Sequence, residues 1–180
     1  VTVYGTNPNF KETELLRLNP FSFPENVHVY EHMDRLVEIF NVCWPMYAAM
    51  PAVLKDAIER AYVDAGWDLR KSRNRYSARL FPTFVDVLQQ IDAVMNESQY
   101  SADSKGDYKG ALCTRLRSLT NGINGMIFSA DELDSADLFD RNVIVDLSRV
   151  GSTETKALIM GLLVMKLQEY RMSQGGMNET

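Results

Sequence analysis

Apolar residues recur at three- and four-residue steps through the middle of the chain, and in short runs or alternation only near its ends. Val29, Met33, Leu36, Val37 and Phe40 keep helical spacing. They predict a helix from about Val27 to Val42, with Asn26 as candidate cap and Pro45 as the stop. A second helix is expected from Pro51, which suits a first helical turn, to about Ala65, closed by Gly66. Val53, Leu54, Ile58, Ala61 and Tyr62 line its apolar face. Phe81-Pro82-Thr83 opens a third helix, with Phe84, Val87, Leu88, Ile91, Val94 and Met95 on one side. Ser98–Lys109 is polar, a loop or the first turn of a fourth helix that runs through Leu119. Methionines and aromatics at this spacing read as core.

The ends carry a different pattern. Val1–Tyr4 alternates and is β-branched, a strand stopped by Gly5-Thr6-Asn7-Pro8-Asn9. Glu14–Leu18 predicts a second short strand and Met126–Ser129 another, after a turn at Asn121–Gly125. The acid-rich 131–140 stretch reads as an exposed connection with at most a helical turn. Val143–Leu147 is an apolar run expected to be a buried strand. Ser152-Thr153-Glu154-Thr155 is an N-cap cluster, and the helix that follows, to about Arg171, is apolar nearly all round. A buried strand feeding such a helix is the mark of an α/β layer whose sheet is covered. The expected fold class is therefore α/β, mostly helical. Core strands and a turn occupy 1–26, a helical insert 27–121, and a return to the α/β core 122–180, with a strand at 143–147 and a helix at 153–171. Such a pair needs packing partners, so the chain reads as an excised internal piece of a larger protein.

Three stretches carry a family resemblance. VIVDLSRVGSTETKALIMGLLVMKLQEYR, residues 143–171, resembles the segment just upstream of the Walker B strand in HerA/FtsK-type P-loop ATPases. Leu16-Arg17-Leu18-Asn19-Pro20-Phe21 is similar to the LNPF that follows the second strand in that family. Arg115-Leu116 through Gly122, Gly125 and Ile127-Phe128 resembles its "RL…G…G…" segment. The order and spacing of the three carry the weight, because each is short and apolar-rich. The resemblance implies part of a P-loop NTPase core with a helical insert. It also implies a cytoplasmic parent protein that assembles as a homo-oligomeric ring. That parent would bind ATP and Mg²⁺ and couple hydrolysis to moving DNA or to driving conjugative or secretion machinery. In the family's ring geometry a subunit can donate an arginine to its neighbour's γ-phosphate. Arg115, in the "RL" position, and Arg117 are the candidates, against a structural role at helix-end carbonyls.

The catalytic parts themselves are missing from this chain. No G-x-x-x-x-G-K-[ST] loop occurs, and no Asp-Glu pair ends a strand, so no phosphate cradle or Mg²⁺ ligand is present and no cofactor is expected in this segment. Asp146 has two readings: ordering a water or loop at a strand end, or capping the bend at Ser148–Gly151. Over 180 residues the formal net charge is −5, which gives no overall bias toward nucleic acid. DNA contact would need a local patch, and Arg70, Lys71, Arg73 and Arg75, with Arg79 and Tyr76 close by, form the candidate. The competing reading is a solvated loop whose charges serve solubility. His28 and His32 have the spacing of metal ligands on a helix but no third ligand, so no metal is expected. Cys43 and Cys113 fit no metal or redox spacing and read as small buried hydrophobes in a reducing compartment. No apolar run is long enough for a membrane span. An alternative function, a non-catalytic helical module for protein–protein interaction, stays open beside the ATPase reading.

Overall fold

A computed structural model describes residues 1–9 and 11–175. The strands are β1 (Thr2–Gly5), β2 (Glu14–Leu15), β3 (Trp67–Asp68), β4 (Arg73–Asn74) and β5 (Val143–Val145). The helices are α1 (Val29–Cys43), α2 (Met50–Asp64), α3 (Phe84–Glu97), α4 (Ala102–Thr120), α5 (Gly122–Ile127), α6 (Ser135–Phe139) and α7 (Thr153–Gln174). The protein is thus mixed α/β and mostly helical. A small parallel sheet has the order β2-β1-β5, and β3 and β4 form a separate antiparallel hairpin.

Local chemistry starts the helices. The Thr83 amide donates to Asp86 Oδ2 at 2.8 Å, half of a capping box that opens α3. Ser101 Oγ accepts from the Ser104 amide at the head of α4, and Ser152 Oγ accepts from the Thr155 amide at the head of α7, both at 3.2 Å. Helix α1 is capped by His28, whose Nδ1 accepts from the Tyr30 amide at 3.1 Å, and not by Asn26. Asn26 instead reaches the Ser173 carbonyl on α7.

The core is one continuous cluster. Leu16 and Leu18, from the segment after β2, are fully buried beside Phe21, and Phe21 meets Tyr62 and Phe84 edge to face. Phe40 stacks on Trp44 at a centroid distance of 4.5 Å. Buried Tyr62 donates its hydroxyl to the Phe21 carbonyl, and burial holds that phenol well above the ordinary tyrosine range.

Four expectations are corrected. β5 covers only Val143–Val145, and it is an edge strand with Ile144 54% exposed, because β1 flanks it on one side only. An apolar run cannot by itself report whether both faces of a strand are covered. Helix α7 packs chiefly on α1, with α6 as a further neighbour, and not on the sheet. A Cβ at Gly161 of α7 would lie 3.1 Å from Ile39 Cγ2 of α1, so the two helices approach closely there. The turn and strand expected over 121–129 are helix α5 followed by a single parallel bridge, Leu18 to Phe128. β2 stops at Leu15, after which the Leu18 amide pairs with the Ile127 carbonyl at 2.8 Å.

Candidate nucleic-acid interface

The basic stretch is a built hairpin, not an irregular loop. β3 and β4 pair Trp67 with Asn74 and Asp68 with Arg73. Gly66 enters the hairpin with φ 104°, and a Cβ there would stand 2.6 Å from the Tyr76 ring, so both backbone and space require glycine. Asp68 Oδ1 accepts from the Lys71 amide at 3.0 Å and closes the tip. Asn74 ties both ends, donating to the Ala65 carbonyl at 2.9 Å and accepting from the Tyr76 amide at 2.8 Å.

Side chains then dock the hairpin on the helices. The Trp67 indole donates to the Leu80 carbonyl at 2.7 Å and stacks on Phe81. Ser72 Oγ accepts from the Val29 amide at 2.9 Å, and the His28 ring lies 3.2 Å from the Arg70 carbonyl through Nε2. With Nδ1 taken as an acceptor at the α1 cap, Nε2 is the donor there. His28 therefore joins hairpin to helix.

This scaffold presents Arg70, Lys71, Arg73, Arg75 and Arg79 to solvent. Among the described residues none of the five makes an ion pair, whereas Arg17, Arg35, Arg60, Arg141 and Arg171 all have carboxylate partners. The Arg75 guanidinium lies over the Tyr76 ring at 4.8 Å, and Tyr76 is 67% exposed. A rigid patch of unpaired cations beside an open aromatic face can neutralise phosphates and stack a base.

The remaining candidates fall elsewhere. Arg115 on α4 lies 3.4 Å from Glu154 on α7 and over the Trp44 ring at 5.6 Å, so it ties two helices together. Arg117, two residues on, is exposed. Neither adjoins the hairpin through any described contact. Asp146 Oδ1 accepts from the Ser148 amide at 2.9 Å. Hydrogen bonds from the Ser148 side chain and backbone hold its carboxyl below the usual range. His32 is buried, with Nδ1 2.8 Å from Glu169 and Nε2 3.0 Å from the Pro20 carbonyl, and no group suited to a metal occurs among the described residues. Burial raises the thiol pKa of both Cys43 and Cys113.

Sequence reasoning missed a second feature beside the hairpin. Arg79 also lines a cleft of about 450 Å³ whose walls include Asn19, Ser22, Glu132, Lys166 and Glu169. Lys166 Nζ donates to Ser22 Oγ at 2.8 Å and lies 3.4 Å from Glu132, and Glu169 also accepts from Arg35 at 3.1 Å. The available signal was Lys166 and Glu169, two charges three residues apart in an otherwise apolar helix.

No described helix is long and apolar enough to cross a membrane. No family model, curated protein or solved structure matches this chain.

Proposed function

We propose that this chain is an internal part of a HerA/FtsK-type, ATP-driven translocase, and that the β3–β4 hairpin is its contact with DNA. The observation that carries the DNA-binding part is the set of five exposed cations, free of ion pairs among the described residues, in a chain of net charge −5. The family part rests on the resemblance of the 143–171, 16–21 and 115–128 stretches, and the parallel β1–β5 pair leading into α7 is compatible with it. ATP and Mg²⁺ would bind in the parent, through residues outside this chain. The ring would bring Arg115 or Arg117 toward a neighbouring subunit.

The test is DNA affinity across a salt series for Arg73→Ala and Arg75→Ala. Each is expected to weaken binding to all sequences alike and to flatten the logarithmic salt dependence by about one unit. Unchanged affinity and slope in both variants would assign the hairpin's charge to solubility. A second reading, a non-catalytic interaction module, draws on the outer side of α7, where Met160, Val164 and Leu167 stand exposed. Loss of partner capture on Val164→Asp, with DNA binding intact, would favour that reading.

A further inference from the structure

A different end of the molecule has the chemistry of an anion site. β1 lies between β2 and β5, so the chain leaves β1 toward one neighbour and later returns to the sheet on the other side. In open parallel sheets the crevice at the carboxyl ends of such strands is where ligands are held. Just past those ends lies a cleft of about 200 Å³, lined by Thr6 after β1, by Arg149, Gly151 and Ser152 after β5, and by Asn124 and Thr155.

Two independent features converge on it. The first is the head of α7, a helix of 22 residues. Its cap Ser152 takes the Thr155 amide, which leaves the first-turn amides of Thr153 and Glu154 without partners inside the helix. Those amides and the helix dipole favour a negative charge. The second is Thr6, 5% exposed, whose Oγ1 is the one buried side-chain oxygen or nitrogen without a hydrogen-bond partner among the described residues. A buried hydroxyl left unpaired costs about 1–3 kcal/mol, so an acceptor at this point would be retained.

The charges nearby are arranged compatibly. Asp146 lines a separate void of about 10 Å³ beside Thr6 and not the cleft itself, and its carboxylate is occupied by the Ser148 amide. Glu154 in the first turn of α7 is drawn to Arg115 at 3.4 Å. Arg149, already engaged within the fold, adds a cation to the cleft wall.

We propose that this cleft binds a phosphate-class oxyanion, held by the first-turn amides of α7 and by the Thr6 hydroxyl. The site is independent of the DNA-binding hairpin. The test is a titration of the 180-residue protein, labelled with ¹⁵N, with inorganic phosphate at constant ionic strength. Saturable shifts are expected at the Ser152, Thr153 and Glu154 amides. Thr6→Val should weaken binding about tenfold, as for a lost hydrogen bond to a charged group, and Thr6→Ser should restore it. A parallel titration with ADP identifies the source. Tighter binding than phosphate assigns the oxyanion to a nucleotide, equal binding assigns it to free phosphate, and both support the site. Absence of saturable shifts in the wild type would mean that Thr6 is satisfied by water alone, and the proposal falls. It falls equally if Thr6→Val binds as the wild type does, if Thr6→Ser fails to bind, or if the shifts are confined to residues 70–79.

Discussion

Arg115 and Arg117 stand two residues apart on one helix and meet different surroundings. Arg115 spends its guanidinium on Glu154 and the Trp44 face, while Arg117 is exposed. Arg115→Ala is therefore expected to lower stability in urea unfolding by about 1 kcal/mol, the sum of a partly exposed ion pair and a cation–π contact. Arg117→Ala should leave stability within roughly 0.5 kcal/mol of wild type. The same pair separates roles in the proposed parent ATPase. An arginine acting on a neighbour's phosphate would cost about 10³-fold or more in turnover with no loss of stability. A stability loss without a turnover loss would mark Arg115 as a purely structural residue.

At the scale of elements, α1 and α7 are joined by apolar packing and by a buried polar cluster. His32 and Arg35 on α1 both address Glu169 on α7, whose side chain is 1% exposed. Glu169→Ala would leave the His32 ring and the Arg35 guanidinium facing each other without their shared acceptor. The expected destabilisation is roughly 3 kcal/mol or more, the cost of breaking a buried pair from one side, read from the urea midpoint. Loss of less than about 1 kcal/mol would show that water replaces the carboxylate there. The hairpin depends on α1 in a similar way, through His28 and Ser72, so its cations keep their places only while the head of α1 is intact.

For the whole molecule, the acidic balance and the single continuous core describe a stable scaffold with its positive charge gathered at one hairpin. The phosphate loop and acidic pair needed for phosphoryl transfer are absent from the sequence. The isolated chain is accordingly expected to show no ATPase activity and no micromolar, Mg²⁺-dependent nucleotide binding by calorimetry. A micromolar, Mg²⁺-dependent dissociation constant would reveal a metal–nucleotide site built from other residues. The weaker, metal-independent oxyanion binding proposed at Thr6 is distinguished by its sensitivity to Thr6→Val.

Helix positions were legible in the sequence because a 3.6-residue period with capping residues is a local signal. Val53 to Tyr62, Thr83 with Asp86, and Ser152 with Thr155 each announce their element within a few residues. The mostly helical α/β class and the clustering of Arg70, Lys71, Arg73 and Arg75 followed from the same local pattern. Burial did not, because it depends on what lies opposite. Val143–Val145 reads as interior, yet it forms a sheet edge with Ile144 exposed, and the apolar α7 turns Met160 and Val164 outward because α1 covers only its other side. Tertiary structure also decided the polar partners. Glu169 meets His32 across 137 residues, Arg115 meets Glu154, and the Thr6 hydroxyl is sealed without a partner; no spacing along the chain encodes those distances. Local periodicity fixes which residues form a helix, whereas the packing of distant segments alone determines which of its charges are paired, which are left free, and where a ligand finds room.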